Sequence, residues 1–154
     1  MDKKILFVCI HNAARSQMAE AFLNKYGGET LHAESAGVET GSLNPYAVAA
    51  MKEIGIDISR NKTQEVFDLF SDGKIYNAVV TVCDEASERC PVFPGVLKRI
   101  SWSLPDPAGF KGTEEEILQQ TRVVRDQIKE KVMDLILRGS SIDFWMIPQE
   151  ELHR

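Results

Sequence analysis

Along the 154 residues, short continuous apolar runs alternate with stretches in which apolar positions recur three and four apart. Residues 3–9, KKILFVC, read as a strand, and from about Ala14 the spacing turns helical, with Met18, Phe22 and Tyr26 four apart and Ala19 and Leu23 beside them. Gly27 and Gly28 stop that helix. A second strand is expected at 31–36. Asn44-Pro45 marks a helix start, with Asn as cap and Pro at the first helical position, and Val48, Met51 and Ile54 carry it to Gly55. A short helix is expected over 63–70. Residues 78–82 are an almost continuous apolar run, interrupted only by Thr81, as in a strand covered on both faces, and end at Cys83; residues 97–102 predict a fourth strand. Thr113 and Glu116 make a capping box ahead of a long helix through Ile117, Thr121, Val124, Ile128 and Leu135 to about Arg138 and Gly139.

Strands alternating with helices predict an α/β fold, one parallel sheet with helices on both faces joined by right-handed crossovers. Residues 1–139 form the expected domain. Residues 140–154 are an extension whose Phe144, Trp145 and Met146 are expected to pack back on it. With 44% hydrophobic and 27% charged residues the composition is that of one globular domain, and a chain of this length buries roughly 70% of the surface its unfolded form exposes. Eighteen Lys plus Arg against 23 Asp plus Glu leave a charge of -5, which does not suit a nonspecific partner of nucleic acid or of an anionic membrane. The apolar run at 5–10 is too short for an export signal or a membrane span. Three cysteines, an odd number, point to a cytoplasmic chain with reduced thiols. Cys9, Cys83 and Cys90 are then either core residues or chemistry.

In Cys9-Ile10-His11-Asn12-Ala13-Ala14-Arg15-Ser16 a cysteine ends a strand and an arginine opens the following helix. Backbone N–H groups of such a loop converge on one point, the helix dipole adds positive charge, and an arginine offers a two-pronged fork, so the loop is a cradle for a tetrahedral oxyanion. The same field favours a thiolate at Cys9, to which Ser16 adds a hydroxyl. Asn12 tolerates the left-handed backbone of a tight loop. A buried, inert Cys9 is the competing reading, but strand, helix, Asn and Ser agree on the cradle. His11 reads as a solvated loop residue.

The stretch VCIHNAARSQMAEAFL, followed by AESAG and later by Asp106-Pro107, resembles the low-molecular-weight tyrosine phosphatase superfamily over about residues 3–137. That resemblance implies a flavodoxin-like three-layer sandwich on a four-stranded parallel sheet of order 2-1-3-4, an attacking Cys9 thiolate, an oxyanion held by residues 10–16 (Ile10, His11, Asn12, Ala13, Ala14, Arg15, Ser16), and an acid at Asp106. Ala13 and Ala14 depart from the serine and second cysteine of many relatives. Some relatives hold a potassium ion, which by resemblance involves Asn12, Glu20 and Ser35; Glu65 stands where an aspartate is expected. No other cofactor is called for, and the spacing of His11, His32 and His153 offers no zinc cluster.

In a flavodoxin-like sheet ligands sit at the carboxyl ends of the strands, at the switch point between the first and third. Cys9 ends the first of these, Cys83 the third, and Asp106 follows the fourth. Cys83 and Cys90 are seven apart, about 10.5 Å along a helix, so a disulfide between them requires that segment to leave helical form. Its polarity, with Asp84, Glu85, Ser87, Glu88 and Arg89, and Pro91 after Cys90, suit such a change. A phosphatase needs only Cys9, Arg15 and Asp106. The further pair, and Ala108 after Asp106-Pro107 where phosphatases of the group carry tyrosine, are similar to the thioredoxin-coupled arsenate reductases of the superfamily. The expectation is therefore reduction of arsenate through Cys9, Cys83 and Cys90 with thioredoxin as reductant. Phosphatase, or an oxyanion sensor without turnover, are the alternatives.

Overall fold

The computed structural model describes residues 2–84, 88, 89, 91, 93, 98–146 and, by their backbone, 150–153. Five parallel strands, β1 (Lys3–Cys9), β2 (Leu31–Gly37), β3 (Ala78–Cys83), β4 (Arg99–Ser103) and β5 (Glu150–His153), lie in the order β2-β1-β3-β4-β5. The expected order 2-1-3-4 is present, and the tail extends the sheet by a fifth strand. Among the described residues, five α-helices connect the strands or follow them: α1 (Arg15–Tyr26), α2 (Pro45–Lys52), α3 (Val66–Ser71), α4 (Glu114–Arg138) and α5 (Ile142–Met146).

α2 and α4 start where local chemistry says they should. The Asn44 side chain accepts from Tyr46 N at 2.8 Å and Ala47 N at 3.2 Å, capping α2, a contribution of about 1 kcal/mol. Thr113 and Glu116 exchange reciprocal hydrogen bonds of 3.2 Å at the start of α4. α3 is shorter at its N-terminal end than its sequence region suggested, because the chain at Glu65 first bridges to Gly37 at the end of β2.

Strand alternation sorts the core into two layers. Ile5 and Phe7 of β1 and Val80 and Val82 of β3 meet Met18, Phe22 and Leu23 of α1 and Val124, Ile128 and Val132 of α4. On the other face Leu6, Val8 and Val79 pack with Val66 and Leu69 of α3, Tyr76 and Phe93. Each fully buried large apolar side chain stabilises the fold by roughly 1.5–3 kcal/mol, which locks the register of β1 against β3 and so fixes where Cys9 and Cys83 stand.

Phe144 and Trp145 of the tail pack back, whereas Met146 stays exposed, on the outer side of the short helix α5. Phe144 and Trp145 are buried, in an edge-to-face pair with centroids 4.9 Å apart, and Trp145 Nε1 donates to Gly139 O at 2.8 Å. The Lys98 ammonium lies 4.1 Å from the Phe144 ring centroid and the Arg138 guanidinium 5.1 Å. These contacts deliver the chain to β5, which covers the outer edge of β4 and removes an open row of backbone donors and acceptors there.

Candidate active site

Residues 10–14 turn between β1 and α1 with their carbonyls drawn outward. Val38 N donates to Cys9 O (3.2 Å), Glu39 N to Ile10 O (3.0 Å), Gly41 N to His11 O (3.1 Å) and Asn44 N to Ala13 O (2.9 Å). In a trans peptide the N–H points opposite to the C=O. The N–H groups of Ile10, His11, Asn12 and Ala14 are thereby turned to the inside of the loop, next to the positive end of α1, whose N-cap Ala14 supplies no side-chain cap. Asn12 takes the left-handed conformation, φ +56°, as expected of its residue type. The cradle depends equally on Gly37: a Cβ there would stand 2.8 Å from Asn12 N, His11 C and Glu39 O, all backbone atoms.

Cys9 is buried and its thiol is free. Its Sγ lies 2.9 Å from Ser16 Oγ. Asn12 Nδ2 donates to that same Ser16 oxygen at 2.8 Å and to Ser35 Oγ at 3.0 Å. The orientation of the Asn12 amide is set by two N–H groups donating to its Oδ1, Gln17 Nε2 at 3.1 Å and Gln64 N at 3.0 Å. Either Cys9 Sγ or Ser16 Oγ can donate across this contact; with Cys9 as a thiolate the hydroxyl is the donor and stabilises the negative charge. The His11 side chain instead turns outward to Glu39, with Nδ1 3.6 Å from the carboxylate.

Arg15 is 2% exposed, yet four groups meet its guanidinium. Both terminal nitrogens donate to the Glu88 carboxylate, Nη2 to Oε2 at 2.9 Å. Nη1 also donates to Leu104 O at 3.1 Å, Asp106 Oδ2 lies 3.5 Å from Nη2, and Cys9 adds an electrostatic attraction. Burial opposes the positive charge, but the Glu88 hydrogen bond, Cys9 and Asp106 outweigh it and hold Arg15 above the ordinary arginine range. Asp106 is a turn residue as well: its Oδ1 accepts from Ala108 N at 3.0 Å, which leaves Oδ2 facing Arg15.

Cys83 ends β3, beside β1, and is disulfide-bonded. The parallel register runs to Val8 opposite Thr81, so one step further sets Cys9 level with Val82, about 6 Å from the Cα of Cys83 by ordinary strand spacing. Alternation gives Cys9 the parity of Ile5 and Phe7 and Cys83 that of Val79 and Thr81, the opposite face. The two cysteines thus close adjacent strands at the same edge of the sheet. Cys90 lies outside the described residues.

The arrangement matches known proteins closely. The sequence model of the low molecular weight phosphotyrosine protein phosphatases matches residues 4–143. The chain belongs to this family. The fifth strand lies beyond the family match. An arsenate reductase of Bacillus subtilis is 44% identical over 142 residues, covering 90% of this chain and 99% of that one. The crystal structure of an arsenate reductase from Archaeoglobus fulgidus superposes with a TM-score of 0.71 at 34% identity, over 86% of this chain and 98% of that one. A thioredoxin-dependent arsenate reductase of Corynebacterium glutamicum gives a TM-score of 0.56 at 25% identity, over 87% of this chain and 63% of that one.

Two features of this family member add to the sequence reading. The potassium set does not fit an ion at Asn12, whose carbonyl oxygen already takes two N–H donors. Burial lifts the Glu20 carboxyl above the usual carboxylate range, and hydrogen bonds with Ser35 only partly offset that. Among the described residues no group of three or more His, Cys, Asp or Glu could hold a metal. The second feature is Glu88, read in the sequence only as part of a polar segment and found on the fork of Arg15. Gly37, Gln17 and Gln64 were likewise not singled out. Glu88, Gly37 and Gln64 carry no local signal, because each acts on residues far along the chain, whereas Gln17 acts on Asn12 only five residues before it.

Proposed function

We propose that this protein is an arsenate reductase that works through three cysteines and is regenerated by thioredoxin in the cytoplasm. The observation that carries the reading is that two adjacent strands end on cysteines in different states, Cys9 a free thiol under Arg15 and Cys83 in a disulfide. The arsenate reductases among its relatives supply the choice of oxyanion, and the Corynebacterium glutamicum neighbour the choice of reductant.

Arsenate occupies the N–H groups of the loop and the Arg15 fork. The Cys9 thiolate attacks As(V), an S–As bond forms, and one arsenate oxygen leaves as water after Asp106 delivers a proton. The Cys83 thiolate then attacks Cys9 Sγ. An S–S bond forms between the two cysteines, the S–As bond breaks, and its electron pair stays on arsenic, which departs as arsenite. The Cys90 thiolate attacks Cys83 Sγ, giving a Cys83–Cys90 disulfide and returning Cys9 as thiolate. A thioredoxin dithiol reduces that disulfide and is itself oxidised. Ser16 and Asn12 hold the charge that Cys9 carries at the start and end of the cycle.

Cys9, Arg15 and Asp106 alone suffice for hydrolysis of a phosphoester, and the 3.5 Å between Asp106 and Arg15 suits that reaction too. One set of assays separates the readings: arsenate-dependent oxidation of thioredoxin, or of glutathione with glutaredoxin, alongside aryl-phosphate hydrolysis, on wild type and the Cys9→Ser, Cys83→Ser and Cys90→Ser variants. The reductase predicts arsenate turnover lost in all three variants. After one turnover, mass spectrometry should find Cys83 linked to Cys90 in wild type and Cys9 linked to Cys83 in Cys90→Ser. Free thiols in both, with phosphatase activity that survives Cys83→Ser, would replace the reductase with a phosphatase.

A further inference from the structure

Arg15 presents its fork to a carboxylate of its own chain. Glu88 meets both terminal nitrogens of the guanidinium, side by side, which is the two-pronged pairing through which an arginine holds a tetrahedral oxyanion. Glu88 is also tied to the residue next to Cys83: its Oε1 accepts from Asp84 N at 2.6 Å, and Glu88 N donates to Asp84 O at 2.7 Å. The carboxylate on the fork is therefore hydrogen-bonded to the chain neighbour of Cys83, in a molecule whose Cys83 is disulfide-bonded. The Glu88 side chain is only 15% exposed and Arg15 2%, so the pair closes the fork to solvent.

We propose that Glu88 is the residue that governs access of the oxyanion: with Cys83 in its disulfide, the Glu88 carboxylate occupies the Arg15 fork in place of the oxyanion and excludes it, and reduction of Cys83 releases the fork. The inference rests on the oxyanion reading of the loop. It adds that the oxidised protein is closed to its substrate until it has been reduced. An anion bound to oxidised protein has no reducing thiol to act with, because Cys83 is already spent. A carboxylate tethered this closely competes at an effective concentration in the millimolar range or above, and two carboxylate–guanidinium bonds in a site shielded from water strengthen it further.

Inorganic phosphate, a redox-inert oxyanion, is the probe. Its dissociation constant is measured by titration calorimetry at fixed ionic strength for the disulfide form and the dithiothreitol-reduced form of wild type, Glu88→Gln and Glu88→Ala. Wild type should bind phosphate at least about tenfold more tightly when reduced. In Glu88→Ala the two forms should agree within about threefold, because the oxidised form gains affinity, and Glu88→Gln should fall between. Glu88→Gln, nearly the same shape, carries the test if Glu88→Ala does not fold. Equal phosphate affinity of the oxidised wild type and both oxidised variants would overturn the gate while leaving the cradle intact. Absence of phosphate binding to every reduced form would overturn the cradle reading itself, and the gate with it.

Discussion

β1 and β3 lie side by side and each ends on a cysteine, but the chain beyond Cys9 and the chain beyond Cys83 are fastened by different means. The first is bound through four of its carbonyls to residues 38–44 and through the neutral amides of Asn12, Gln17 and Gln64. The described residues of the second are fastened through a charged pair, Glu88 with Arg15. Backbone bonds between uncharged peptide groups carry no titrating group, whereas a carboxylate on a guanidinium responds to pH and to competing anions. A cradle has to be formed before its ligand arrives, and under the proposed relay the arm beyond Cys83 has to let go.

The largest test of this contrast is Gly37→Ala. The added Cβ would meet three backbone atoms at 2.8 Å, so the loop must move, and kcat/KM for arsenate should fall by about 100-fold, as displacements on the order of 1 Å do in preorganised sites. Unchanged kcat/KM would mean that the loop yields as readily as the arm. Ser16→Ala removes the hydroxyl on the Cys9 sulfur and should lower kcat by about tenfold, in line with ~1.5 kcal/mol for a hydrogen bond to a charged group; single-turnover formation of the oxidised protein reads it directly.

Acid should release the arm and spare the loop. Burial pushes the Glu88 carboxyl up, but Arg15 and the Asp84 N–H pull it below its ordinary value of 4.5. A depressed carboxylate stabilises the fold fully above that ordinary value, and the stabilisation fades as pH falls through the folded value. In the oxidised protein, carbon NMR of the Glu88 carboxyl should give a midpoint below 4.5, moving upward on reduction; one midpoint in both redox states would erase the distinction between the two strand ends. The smallest effect belongs to Glu20, beside the loop. Its folded value is raised, first by burial, so its stabilising contribution is complete below the ordinary 4.5 and lost as pH rises. Glu20→Gln should therefore raise Tm at pH 7, with the gain closing below about pH 4.5, as followed by thermal melts across that range.

Much of this arrangement could be read from local patterns. The apolar run at 78–83, the Asn44-Pro45 cap, the Thr113–Glu116 box and the loop between Cys9 and Arg15 all appear where their neighbours along the chain place them. Asn12 was expected to carry the left-handed turn and does. Ser16 was expected at the sulfur, and its Oγ lies 2.9 Å from it. The fifth strand was not foreseen, since a short charged segment, Glu150–His153, has no strand pattern of its own and pairs only because Phe144 and Trp145 deliver it to the edge of β4.

By itself, then, the sequence determined the strands and helices, their caps, and the residue types of the loop at Cys9, because strand and helix periodicities and turn chemistry act over a few residues. Only the tertiary structure decided what those parts meet: that Gly37 must be bare for the loop to close, that the tail covers β4, and that a carboxylate 73 residues away from Arg15 occupies its fork. Such contacts depend on how layers and loops pack in space. Separation along the chain gives no hint of them, and charge alone would pair Glu88 equally well with any exposed lysine or arginine.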